Sequence, residues 1–166
     1  MLNSKLSNSS LTKLSRSGFL IGDYNADEFR KDLAEIFLVA VENKDIAGYI
    51  VLSKRKEYIN NKYKVWSFDS AKSLYYSEQG IELKTIIVRD KFRRTGLAKK
   101  LLTRALRISD QKFQAMFSVI SLAPVPNYAS LNFHLKNGFK VVSISQPREL
   151  FGITNYQSML LMKNLG

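Results

Sequence analysis

The chain has 166 residues, a size suited to one domain with a full core, and 45% of them are hydrophobic. It holds no cysteine and a single histidine, His134, which excludes disulfides, thiolate nucleophiles and zinc sites built on cysteine or on several histidines. Lys and Arg number 26 against 14 acids, a formal net charge of +12, and such a field attracts nucleic acid, anionic membrane, acidic proteins or phosphorylated small molecules.

Residues 1–17 are rich in Ser, Lys and Arg and carry no acid; they read as a loosely ordered arm or a weak first helix. Residues 18–166 then read as one domain. NADEFRKDLA at 25–34 has acids near its start and predicts a short helix. FLVAVENKDIAGYIVLS at 37–53 predicts two apolar, β-branched strands around a turn at 42–45. The longest apolar run, IFLVAV at 36–41, is too short to span a bilayer. No charged start followed by an apolar stretch marks a secretory signal, so a cytoplasmic location is expected.

Residues 54–79 lack a clean period and predict one or two short helices. Their Trp66, Tyr75 and Tyr76 either form a binding wall or fill a small satellite core. IELKTIIVRD at 81–90 predicts a strand with Glu82, Lys84, Ile86 and Val88 on one face and Leu83, Thr85 and Ile87 on the other. A helix then opens at Gly96 and runs to about Gln111, with Leu97, Leu101, Leu102, Ala105 and Leu106 as its apolar stripe. FSVISLA at 117–123 predicts a strand ended by prolines. Asn127 caps a short helix that stops at Gly138, with Leu131 and Leu135 turned inward. Two further strands, FKVVSIS and YQSMLLMK, close the chain. Strands and helices alternating in this order predict an α/β (α+β) domain with a mixed sheet of about six or seven strands flanked by helices.

One stretch carries chemistry. RRTGLAKKLL at 93–102 opens a helix with cations, although the helix dipole favours anions there. Residues 89–107 hold eight basic residues and one acid, Asp90. A strand, a glycine turn and a helix start together make an anion site, because the first backbone N–H groups of the helix are free to point at it. Gly96 lets the backbone approach, Ala98 does not obstruct it, and Arg93 and Arg94 reach outward. The nucleotide patterns G-x-x-x-x-G-K-[ST] and G-x-G-x-x-G are both absent.

The stretch IIVRDKFRRTGLAKKLL, with Arg93-x-x-Gly96-x-Ala98, resembles the signature of the GNAT superfamily of acetyl-CoA-dependent N-acyltransferases. A second motif follows the next strand: Asn127, Ser130, the pair Phe133-His134, then Gly138-Phe139. The resemblance covers residues 81–145 and, more loosely, the strand at 48–52. It implies a sheet splayed between strands 81–88 and 117–123, with acetyl-CoA as cosubstrate and no metal. It further implies that the backbone of Ile86, Ile87 and Val88 pairs with pantetheine amides, and that Arg93, Arg94, Thr95, Gly96, Leu97, Ala98 and Lys99 surround the pyrophosphate. Asn127 and Ser130 would bind the pantetheine arm, and the Val88 N–H would polarise the thioester.

Acyl transfer to an amine has two proton steps: the amine loses a proton and the departing thiolate gains one. By resemblance Glu82 is the candidate general base; the alternative is that it only pairs with Lys84 or another cation near the strand start. His134 stands where family members carry a tyrosine acid and is the candidate general acid; Tyr128 is the nearest substitute. With a reference pKa of about 6.5, a modest upward shift would make the histidine ready to donate. Asn127, Ser130 and His134 fall on one stripe of the short helix. The acceptor is a primary amine of a small molecule or a protein, attacking directly in a ternary complex. A homodimer is compatible with the sequence, and neither membrane nor nucleic acid is an expected partner. The alternatives are a basic nucleic-acid-binding module and a catalytically silent acyl-CoA sensor of the same fold.

Overall fold

The computed structural model describes residues 36–54 and 63–166 continuously, and Thr12, Lys13, Ser15, Arg16, Gly18, Asp27 and Arg30 individually. Most of the expected helix at 25–34 and most of the arm lie outside the described residues. Of the arm, Thr12, Lys13, Ser15 and Arg16 are helical, and Ser15 is buried with its hydroxyl donating to the Pro126 carbonyl.

Strands β1 (Ile36–Glu42) and β2 (Asp45–Ser53) form a hairpin turning at Asn43 and Lys44, both with positive φ, the geometry that matches strand twist in a two-residue turn. The stretch read as helical splits into β3 (Tyr63–Trp66) and α1 (Asp69–Tyr76). Then come β4 (Gly80–Val88), a 3-10 turn (Asp90–Phe92), α2 (Leu97–Ser109) and β5 (Ala115–Ala123). Helix α3 (Tyr128–Lys136), β6 (Lys140–Ser145), β7 (Arg148–Leu150) and β8 (Ile153–Asn164) complete the fold.

The described strands make one eight-stranded sheet in the order β1-β2-β4-β5-β8-β6-β3, with β7 added on β8. Only β4 and β5 run parallel. The count exceeds the expected six or seven because β3 and β7 are too short to leave a periodic signal. Period-2 alternation sends neighbouring residues to opposite faces. Met116 and Leu161 join the larger core with Leu101, Leu102 and Ala105 of α2, whereas Phe117 and Leu160 join a smaller one with Tyr75 of α1. Full burial of Leu102 alone contributes about 1.5–3 kcal/mol.

Trp66 and Tyr75 resolve as satellite core, with Trp66 and Phe117 lying 5.7 and 5.0 Å from the Tyr75 ring, whereas Tyr76 is exposed. The stripe on α2 is as expected, and its cations Lys99, Lys100, Arg104 and Arg107 face solvent. On α3, Leu131 packs on the larger core, but Leu135 is exposed. The inward position is taken by His134, 1% exposed, and Leu135 sits in the last turn, where the chain leaves the helix through Gly138 at φ 84°.

Candidate acyl-transfer site

The parallel pairing of β4 with β5 runs only from Gly80↔Ala115 to Leu83↔Ser118. Beyond it the strands part. The cause lies on the other edge of β4. There Leu52 pairs with Leu83 and Val51 with Thr85, so Lys84 is an extra residue, a bulge that bends the strand. The bulge also resets the alternation. Leu83 and Ile86 both pack into the larger core, so Glu82 does not share a face with Ile86 as strict alternation predicts.

The gap opens into a cavity of about 760 Å³. Its walls are Leu83 to Val88 of β4, Ser118 to Ser121 of β5, residues of α3 and its cap, and the turn before α2. The main chain of two residues faces it for a reason that the ladder supplies. Val88 is the register partner of Gly48, and the Arg89 N–H donates to the Ala47 carbonyl at 2.9 Å. A bond from the residue after one partner to the residue before the other marks a non-hydrogen-bonded antiparallel pair. The N–H and C=O of Val88, and by alternation those of Ile86, therefore point away from β2 and into the gap. Ile87, opposite Tyr49, directs its own main-chain groups at β2, and only its side chain reaches the cavity.

The turn after β4 is built from short-range bonds. Arg93 donates from Nε to the Val88 carbonyl at 3.3 Å and sits 3.0 Å from Asp90 Oδ1; the Thr95 hydroxyl donates to the Phe92 carbonyl. Arg94 and Gly96 both hold positive φ, 65° and 83°. For Gly96 nothing lies within 4 Å of where a Cβ would be, so glycine is required there by conformation and by nothing else. The first bond within α2 is Lys100 N–H to the Gly96 carbonyl at 3.0 Å. The N–H groups of Leu97, Ala98 and Lys99 therefore precede any carbonyl of the helix that could take them. No acid occupies this first turn. Arg93, Arg94 and Ala98 line the cavity, and Thr95, Gly96, Leu97 and Lys99 complete the turn beside it.

On α3 the expected stripe is realised: Asn127, Ser130 and His134 all line the cavity. Asn127 is the N-cap, its Oδ1 accepting from the Ser130 N–H at 3.1 Å. His134 Nδ1 lies 2.7 Å from the Ser130 carbonyl. A carbonyl only accepts, so this nitrogen carries the hydrogen, and neutral His134 presents the lone pair of Nε2. Nε2 is buried and meets no hydrogen-bond partner among the described residues. The rings of Phe133 and Phe139 stand edge-on at 5.5 and 5.0 Å. Burial pushes the imidazole below its ordinary value, against the smaller opposing effect of the Ser130 carbonyl. The upward shift that would have made it a ready acid is thus reversed. Tyr128 is exposed and does not line the cavity.

Glu82 is buried behind the wall, which begins at Leu83. Its Oε1 is 3.4 Å from Lys84 Nζ, and Lys84 does line the cavity. The pairing of Glu82 with Lys84 is the alternative that the sequence offered, but the place of Lys84 on the cavity wall was not expected, nor were the β7–β8 residues Leu150 and Phe151, and Tyr156. These last three have no local signal. Tyr156 is 4% exposed, and burial pushes its phenol up, partly offset by nearby Arg148 and by hydrogen bonds to the Ser158 and Ser121 hydroxyls.

No curated protein matches the chain in sequence. Among solved structures, Ard1 from Thermoplasma volcanium superposes with a TM-score of 0.65 at 16% identity, covering 97% of this chain and 95% of that one. The ribosomal-protein-S18-alanine N-acetyltransferase of Escherichia coli gives 0.62 at 13%, covering 98% and 92%. A GNAT family acetyltransferase from Elizabethkingia anophelis with acetyl-CoA bound gives 0.56 at 19%, covering 85% and 84%. These likenesses establish the splayed fold. No described helix is long and apolar enough to cross a membrane, and no described cluster of His, Asp or Glu could hold a metal ion. The model of the acetyltransferase (GNAT) family matches residues 9–139, and the chain belongs to that family.

Proposed function

We propose that this protein transfers an acetyl group from acetyl-CoA to a primary amine, directly, within a ternary complex. The observation that carries the reading is the coincidence of three features on one cavity: the outward-facing main chain of Ile86 and Val88, the uncapped cationic start of α2, and the buried Nε2 of His134. Acetyl-CoA supplies the acetyl thioester. The Ile86 and Val88 edge offers it the bonds of a missing strand, since β5 has withdrawn. Val88 N–H is the donor that polarises the thioester carbonyl. The N–H groups from Leu97 to Lys99, with Arg93 and Arg94, hold the pyrophosphate.

His134 reaches the acid role in two steps. Neutral at first, its Nε2 takes the proton that the amine nitrogen sheds as the new N–C bond forms; the imidazolium then gives that proton to the leaving thiolate as the C–S bond breaks. Glu82 acts as base only through an intermediary, Lys84 or a water, because its carboxylate lies behind the wall. The fold is shared both with the ribosomal-protein-S18-alanine N-acetyltransferase and with an aminoglycoside 6'-N-acetyltransferase, so it accommodates a protein amine or a small one.

The test is thermal unfolding with CoA and, separately, a DNA duplex, followed by thiol release over an amine panel. A ligand at 100 times its dissociation constant stabilises by about 2.7 kcal/mol. A rise with CoA that Gly96→Glu abolishes, together with thiol release lost in His134→Gln, supports the enzyme. CoA binding without turnover on any amine would leave the silent sensor, and a salt-sensitive rise with DNA alone would leave the basic module.

A further inference from the structure

Arg148 is the least explained cation among the described residues. Its Nε and Nη1 are shut from solvent, and neither meets a hydrogen-bond partner among the described residues. A guanidinium in that state is costly unless something completes it. Its place in the fold says where that partner would come from. Arg148 is the register partner of Tyr156, and its guanidinium lies 5.2 Å over that ring. Tyr156 lines the cavity, and so does Leu150, two residues along from Arg148. The guanidinium is therefore one side chain removed from the cavity wall.

The charge of the wall points the same way. Lys84, Arg93 and Arg94 line the cavity, and no Asp or Glu does among the described residues. A polycationic acceptor would meet like charge without a carboxylate to receive it. Of the cations on the wall, Arg93 and Arg94 are assigned to phosphates and Lys84 is already engaged by Glu82, which leaves Arg148, not itself on the wall but stacked on Tyr156, for the acceptor.

We propose that Arg148 selects the acceptor: the amine acetylated here carries a carboxylate close to its nitrogen, and that carboxylate completes the Arg148 guanidinium beside Tyr156. This rests on the acetyltransferase reading above. Arg148 contributes specificity, and no proton moves through it. The fork of two N–H groups suits a carboxylate bidentately, which a lysine cannot reproduce. The carboxylate has two sources, the α-carboxylate of a free amino acid or the side chain of an acidic residue next to a peptide N-terminus.

The experiment measures thiol release from acetyl-CoA with matched acceptors on the full chain. One arm sets the standard free amino acids against their amides. A second sets an alanyl-glutamyl peptide amide against its alanyl-glutaminyl counterpart. Spermidine is the polycation. Thermal stabilisation by CoA is recorded in parallel and reports on the acetyltransferase reading separately. The expected result is kcat/KM about tenfold or more higher for the carboxylate member of one arm, the scale of one charge-assisted hydrogen bond, carried by KM. In Arg148→Met, which keeps an apolar stem over the Tyr156 ring, that ratio falls towards one; in Arg148→Lys it recovers in part. Equal use of acid and amide overturns the proposal, as does a preference for spermidine or a ratio unchanged in Arg148→Met. CoA stabilisation without turnover of any carboxylate-bearing amine overturns it as well.

Discussion

Gly48 stands opposite Val88 in a non-hydrogen-bonded pair, and a Cβ on Gly48 would lie 2.5 Å from the Ile87 carbonyl oxygen and 3.2 Å from Val88 Cα. Both nearest atoms are main chain and cannot swing aside. The absence of one side chain on β2 thus sets the position of the Val88 N–H on the other side of β4. Gly48→Ala must push β4 toward the gap. We expect a loss of about 1–3 kcal/mol in stability, the scale of an overpacked contact, with a lowered kcat from a displaced Val88 N–H. Melting temperature and turnover of the purified variant check both. An unshifted kcat would mean that the Val88 N–H does not act on the reacting carbonyl.

Arg94 holds φ at 65° while exposed, a conformation that is costly for a residue with a Cβ. Arg94→Gly relieves that strain but frees the unfolded chain, so the two effects oppose and stability should change by less than about 1 kcal/mol. Affinity for CoA should fall by about tenfold, with a shallower dependence on salt, because one charge-assisted contact to phosphate is gone. Calorimetric titration with CoA at two ionic strengths reads this. A CoA affinity equal to wild type would remove Arg94 from the phosphate site.

His134 links folding to pH. Its folded pKa is lowered, and burial is the main cause. Below the unfolded value of about 6.5 the unfolded chain binds more protons than the native one, so stability falls as pH drops. Above that value the contribution is level. The groups around the ring are the Ser130 carbonyl and hydroxyl and the rings of Phe133 and Phe139, and among the described residues no carboxylate opposes the effect of burial. Melting temperatures from pH 8 to 5 should therefore fall more steeply for wild type than for His134→Gln. Parallel curves would show that the ring titrates as it does in the unfolded chain.

The sequence made the phosphate turn and the α3 stripe legible because both are local. Glycine at positive φ in the one, and a cap three residues from its N–H with i, i+3, i+7 spacing in the other, each leave their marks within ten residues. The face of Glu82 was misjudged because strict alternation holds only without a bulge, and the extra residue at Lys84 shows only in the pairing of β4 with β2. The direction of the His134 shift was equally hidden. It depends on Phe139 and on the depth of the cavity, neither of which the spacing of α3 encodes. Tyr156 and Leu150 reach the site through β7–β8 pairing, across the sheet from the turn that announces the family.

The Glu82–Lys84 pair is the last relationship with a measurable consequence. Both side chains are nearly buried, at 5% and 11% exposure, and their charged atoms are 3.4 Å apart. Removing one charge from a buried pair strands the other, typically at about 3–5 kcal/mol. Lys84→Met and Glu82→Gln should each be strongly destabilising, whereas the double variant should recover much of the loss. The double-mutant cycle from denaturant melts gives the coupling directly. Activity separates the roles. If Glu82 relays a proton through Lys84, kcat is lost in both single variants and in the double. If instead the pair only holds the bulge that opens the splay, the double variant regains turnover together with stability, and the base is to be sought at His134 alone.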